Sequence, residues 1–177
     1  QAAIFKRKHN WLMCVLYLGT FGSFIGYAAG FPLLIKSQFP GINPLAYAWL
    51  GPLVGAVIRP FGGWLADKLG GARVTLWNFI VMAVAVVGVT FFLPSEGNEG
   101  QFAGFFVCFL VLFLTTGIGN GSTFRMIPVI FLTEAMRGVD KHNAAAVASA
   151  NKEGNTLGAA TLGFTAAMAA YGGFFIP

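Results

Sequence analysis

The chain is poor in charge. Only 10% of its 177 residues are Asp, Glu, Lys or Arg, against about 25% in a soluble domain. With 56% hydrophobic residues and a mean hydropathy of +0.73, an ordinary water-soluble core is excluded. Acidic residues are the scarcest: six in all, and none within the core of an apolar stretch. Asp67, Glu134 and Glu153 fall at stretch ends, while Glu96, Glu99 and Asp140 fall in connections. A proton relay buried in the membrane therefore has no carboxylate to run on here. Cysteine is almost absent too. Cys14 and Cys108 both sit in apolar sequence and read as small buried hydrophobes rather than a disulfide or metal pair. The two histidines, His9 and His142, flank apolar stretches and have no metal-spaced companion. No metal, cofactor or enzymatic activity is expected, since no nucleophile–base pair, metal cluster or phosphate loop is present. The net charge of +5 is not matched by a basic stripe or nucleic-acid motif, so no nucleic-acid partner is expected either.

What the chain has in quantity is glycine, 24 residues, and phenylalanine, 19. Small residues let helices approach closely in lipid, and aromatics face lipid or line pockets. A spanning helix needs about 20 apolar residues. Five stretches meet that length, at about 11–34, 45–66, 74–93, 102–131 and 153–177. The expected fold is an all-α polytopic transmembrane bundle, with membrane lipid as its surroundings. In the first span Gly22, Gly26 and Gly30 recur every four residues and form a smooth stripe, while Tyr17, Phe21 and Phe24 fall along another face. The third span carries no charge, and its mid-helix aliphatics are expected to face lipid. The fourth carries Gly117, Gly119, Asn120 and Gly121, then Arg125 and Pro128, which implies kinking or tight packing. The fifth, rich in Gly and Ala, is expected to be an interior helix. The chain begins at Gln1 without an initiator Met and ends in apolar sequence, and is expected to be a piece of a larger protein.

Lys and Arg set the orientation. With the N-terminus in the cytoplasm, Lys6, Arg7, Lys8, Lys68, Arg73, Arg137, Lys141 and Lys152 are all inside, and Lys36 alone is outside. That asymmetry is a positive-inside signal.

Arg59 breaks the pattern. It sits in the apolar run from Gly51 to Gly63, on one helical face with Gly51, Gly55 and Gly62/Gly63. A guanidinium does not lose its proton, and a central Arg costs roughly 2.5–3.5 kcal/mol on insertion scales. Two readings stand open. Arg59 pairs structurally with an acidic residue or carbonyl elsewhere, or it binds an anion that comes and goes. A planar oxyanion suits the guanidinium fork. Arg125, about 35 Å along the fourth span from its start, is expected to reach the far interface rather than serve as a second substrate arginine.

Two sets of residues carry a family resemblance. Gly63-Trp64-Leu65-Ala66-Asp67-Lys68-Leu69-Gly70-Gly71-Ala72-Arg73 resembles the G-x-L-x-D-[RK]-x-G-x-[RK] loop of the major facilitator superfamily. More specifically, Leu16–Tyr27, Gly51–Gly63 and Gly163–Pro177 together resemble the nitrate/nitrite porters of the NarK type, over helices seven to eleven of a twelve-helix carrier. The resemblance implies a secondary transporter of the cell inner membrane moving nitrate and nitrite by alternating access. It implies that Arg59 binds the anion, that Tyr17 hydrogen-bonds it and that Phe21 stacks on its plane. Gly163 and Ala166 would lie at the substrate in the second signature, with Gly172 and Gly173 as structural glycines. Ala166 and Ala169 stand where the signature has Ser and Gly, which removes one implied hydroxyl contact. The N-terminal half would supply a second arginine and a second phenylalanine. The scarcity of carboxylates favours nitrate/nitrite exchange over proton symport. The rivals are a carrier for another small anion, carboxylate or phosphate, and a non-transporting membrane scaffold.

Overall fold

The computed structural model describes residues 2–95, 99–140 and 142–175. Glu96 and Lys141, counted in the charge reading, and the terminal Ile176 and Pro177 lie outside the described residues. Every long element is helical. A 3-10 turn (Ala2–Lys6) leads into α1 (Lys8–Tyr17), which runs through a π-helical turn (Leu18–Gly22) into α2 (Ser23–Gln38). A single turn, α3 (Pro44–Tyr47), precedes α4 (Leu50–Leu69), α5 (Gly71–Phe92), α6 (Phe102–Met136), α7 (Ala144–Ala170) and the short α8 (Gly172–Phe175).

Among the described residues four helical stretches are long and apolar enough to cross a membrane: Lys8–Gln38, Gly71–Phe92, Phe102–Met136 and Ala144–Phe175. The second expected span, about 45–66, which forms α4, is not one of them. Its 20 residues have the length, but Arg59, Asp67 and several glycines and prolines dilute its hydropathy. The helix that departs from the membrane composition is thus the one that carries Arg59.

Capping explains where helices start relative to the expected spans. The Asn43 side chain accepts from the Leu45 N–H at 3.0 Å, so the chain before α4 closes into the separate turn α3. The Asn143 side chain accepts from the Ala146 N–H, and an alanine run follows. Ala is the strongest helix former, so α7 starts at Ala144, ahead of the span expected from about 153.

α6 is the central helix, packed against α4, α5 and α7. Its composition changes along its length. Phe105, Phe109, Leu112 and Phe113 join Phe31, Ile35 and Met82 in one buried aromatic cluster, in which Phe31 and Phe109 stack at 4.3 Å. Ile127 and Phe131 join Ile4, Met13 and Leu157 in a second. Between the two clusters α6 buries Thr115, Thr116, Asn120, Ser122 and Thr123. Two apolar plugs therefore enclose a polar level in mid-helix.

The outward aliphatics of α5, Val84 and Val87 among them, are exposed, as expected of lipid-facing positions. α7 differs from the expected interior helix. It buries one face, Ala150, Gly154, Leu157, Gly158, Thr161, Thr165 and Ala169, and leaves the other open. Charged groups collect at one end of the bundle. Glu134 receives Arg7 at 3.0 Å and also pairs with His9, and Arg7 approaches Glu153 at 3.7 Å. These pairs tie the starts of α1 and α7 to the end of α6.

Candidate functional site

The site begins with the glycines of α4 and α6. A Cβ on Gly51 would fall on the Phe113 ring, and one on Gly117 on the Gly55 carbonyl and the Ile58 side chain. A Cβ on Gly121 would fall on the Arg59 carbonyl and lie 2.9 Å from the Gly63 nitrogen, and one on Gly62 would strike the Ile118 carbonyl. Gly62, Gly117 and Gly121 are spacers in a backbone-to-backbone seam, and Gly51 makes room for the Phe113 ring. The opposite face of α6 is equally tight. A Cβ on Gly119 would lie 2.5 Å from both Asn78 Nδ2 and Thr20 Cγ2. Overpacking a well-packed site costs typically 1–3 kcal/mol. Gly121→Val should therefore lower the unfolding free energy by about that amount and displace Arg59 from its partner. Thermal unfolding of the purified variant beside an anion-binding titration checks both effects.

Across this seam Arg59 meets Asn120. With the carboxamide oriented to satisfy its neighbours, Arg59 donates from Nε at 3.0 Å and from Nη2 at 3.2 Å to the Asn120 oxygen. Asn120 in turn donates from its nitrogen to the Tyr17 hydroxyl oxygen at 2.8 Å. The guanidinium carbon lies 4.4 Å from the centroid of Phe24 and 5.3 Å from that of Phe21. Phe21 stacks on Tyr17 at 5.3 Å and 23°. Arg59 lies ten residues from the end of α4 at Leu69, about 15 Å at helical rise. That is deeper than the sequence spans suggest.

The π-helical turn Leu18–Gly22 sits between Tyr17 and the residues that follow. It inserts an extra residue into one turn, a device frequent at functional sites. The carbonyls near the turn find local partners. The Thr20 hydroxyl donates to the Leu16 carbonyl at 3.1 Å, and the Ser23 hydroxyl donates to the Gly19 carbonyl at 2.8 Å. The register change leaves Tyr17, Phe21 and Phe24 all directed at the α4–α6 seam.

The resulting charge balance is unusual. A guanidinium has five N–H donors. Asn120 takes two of them, and no carboxylate pairs with Arg59 among the described residues. Asn120 fixes the group without neutralising it. Its bonds also leave the Tyr17 O–H free to donate. A cavity of about 370 Å³ opens beside Tyr17, Arg59 and Asn120. Chemically this is a positive, planar donor fork with a hydroxyl donor and aromatic faces around it, suited to a flat oxyanion.

Arg59, Tyr17 and Phe21 thus come together. Two partners were not anticipated: Asn120, read only as part of the glycine motif, and Phe24, placed on the right face without a role. Gly163 stands elsewhere, exposed on α7 with open space about its Cα, and Ala166 is half-buried on the same helix. Among the described residues no ring contact or hydrogen bond joins either to the Arg59 group. Gly172 packs backbone to backbone against Gly22, and Gly173 lies against Ile25, so both tie α8 to the first helix. Asp67 accepts from Arg125 Nε at 2.8 and 3.1 Å; Arg125 is exposed, lies eleven residues before the end of α6 and borders the same cavity as Arg59. Gly70 joins α4 to α5 at φ +89°, the left-handed region where glycine is unstrained. Arg73 is exposed in the first turn of α5.

Residues 2–175 match the profile of the Major Facilitator Superfamily. The chain is 49% identical over 177 residues to the nitrate/nitrite transporter NarU of Salmonella typhimurium and, equally, of Escherichia coli, covering 100% of this chain and 38% of each relative. It is 42% identical over 178 residues to a probable nitrate/nitrite antiporter, NarK2, of Thermus thermophilus, covering 98% of this chain and 35% of the relative. The chain thus spans little more than a third of the length of these relatives.

Proposed function

This chain belongs to the major facilitator superfamily, and from that premise we propose that it is the C-terminal part of a carrier exchanging nitrate and nitrite across the cell inner membrane. The observation that carries the proposal is the Arg59 group: a mid-helix guanidinium held by a neutral carboxamide, with a tyrosine hydroxyl and two phenylalanine rings beside it. A permanently charged group at that depth needs a counter-charge, and a mobile oxyanion supplies it. The names of the similar transporters and the antiporter point to the same substrates.

Exchange is favoured over proton symport because no described carboxylate pairs with Arg59. Asp67 is paired at the end of α4, and Glu134 and Glu153 belong to the ion pairs at one end of the bundle. The basic residues at that end favour a cytoplasmic side for it. In alternating access two halves rock about a midplane site. The open face of α7, with Gly163 and Ala166, would then meet the other half and the substrate, and that half would supply the second arginine. The activity needs no catalytic centre.

Liposomes containing the full-length protein and loaded with nitrite test the proposal. External nitrate should enter in step with nitrite efflux, without a pH gradient. Equal exchange of lactate or phosphate, with no competition by nitrite, would overturn the substrate assignment. Absence of any anion flux would leave a scaffold.

A further inference from the structure

A second cavity, larger than the one beside Arg59, lies elsewhere. A groove of about 600 Å³ runs between the C-terminal end of α4, the first half of α5 and the middle of α6. Lys68 and Arg73 stand at its charged end, and Trp77, Val81 and Leu114 line its apolar length. Neither cation forms an ion pair among the described residues. The neighbouring carboxylate, Asp67, is engaged by Arg125. Lys68 Nζ lies 4.3 Å from the centroid of Trp64, and Trp77 is 66% exposed. Trp and Lys together are residues of the headgroup level of a bilayer.

Asn78 belongs to the groove wall, but its Nδ2 is buried beside Gly119 on the α6 side and does not open into the groove.

We propose that this groove is a binding site for an anionic phospholipid, its phosphate held by Lys68 and Arg73 and its acyl chain laid along Trp77, Val81 and Leu114. The occupant comes from the bilayer because the groove couples a cationic mouth to an apolar shaft, and basic pockets between spanning helices select acidic headgroups. The site is separate from Arg59 and does not depend on which anion the carrier moves.

The test uses delipidated full-length protein in mixed micelles, with thermal unfolding read against added phosphatidylglycerol, phosphatidylcholine or inorganic phosphate. Phosphatidylglycerol should bind roughly thirtyfold more tightly than phosphatidylcholine, since each juxtamembrane cation strengthens attraction to an acidic surface about fivefold. The double variant K68Q/R73Q, altered only at exposed unpaired cations, should reduce that preference nearly to unity. K36Q, at the other end of the bundle, should retain it. Full preference in K68Q/R73Q would overturn the proposal. So would equal stabilisation by inorganic phosphate, which would make the groove a free-anion site.

Discussion

Arg59→Lys should abolish most nitrate uptake by the full-length carrier while leaving its insertion and folding intact. The charge is conserved in this variant, so a site that needed only a cation would survive. The structure requires more than charge. Arg59 uses Nε and Nη2 on the Asn120 oxygen and keeps its remaining N–H groups for a ligand. An ammonium has three donors about one nitrogen and no plane. It cannot hold Asn120 and also present a coplanar pair to a flat anion. A lost hydrogen bond to a charged group is worth about 1.5–3 kcal/mol, so affinity should fall roughly 10- to 150-fold. The phenylalanine contacts should persist, because a lysine ammonium also sits well over Phe24. The measurements are anion-dependent thermal stabilisation and uptake into vesicles at matched protein content. Wild-type uptake by the lysine variant would remove Arg59 from the site.

Much of this arrangement was legible in the sequence, and the reasons are local. Arg59 stood out because a charge in an apolar run is expensive wherever the partner lies. Its glycine-lined face followed from the spacing of Gly51, Gly55 and Gly62, since residues on one helix share a face by periodicity alone. The aromatic face of Tyr17, Phe21 and Phe24 followed the same rule. What periodicity could not supply is which faces meet. Asn120 lies on a different helix, 61 residues beyond Arg59. Its meeting with Arg59 depends on Gly117 and Gly121 bringing α6 into backbone contact with α4. The available signal was a carboxamide enclosed by three glycines in an apolar stretch, where a polar residue needs a partner as much as an arginine does. The π-helical turn was invisible for another reason. Leu18–Gly22 contains no proline, and hydrogen-bond register within a helix leaves no mark in composition. Gly163 and Ala166 belong to a helix whose outer face is open among the described residues. Their proposed place at the substrate depends on contacts beyond these 177 residues.

Asn120→Asp should be the more damaging change of all, although it replaces one NH₂ by oxygen and alters shape hardly at all. The wild-type carboxamide does two things that a carboxylate cannot combine. It accepts from Arg59 without cancelling the charge, and it donates to the Tyr17 oxygen, leaving the Tyr17 proton available. A carboxylate at this position has no donor for Tyr17, so the tyrosine would turn its own proton toward Asp and away from the cavity. It would also pair with Arg59 by charge-assisted bonds about twice as strong as neutral ones, and the site would become neutral overall. Anion binding should then fall by at least roughly 100-fold, the upper part of the range for a lost charged hydrogen bond together with the tyrosine donor. Stability separates this from misfolding. Asn120→Asp should unfold no earlier than wild type, because the new pair is satisfied on both sides. Asn120→Leu should unfold earlier, because it leaves the half-buried Arg59 donors without their acceptor, at a cost of about 1–3 kcal/mol. Tight nitrate binding by Asn120→Asp would show that Arg59 is already neutralised by a carboxylate elsewhere, and the mobile oxyanion would no longer be needed as its counter-charge.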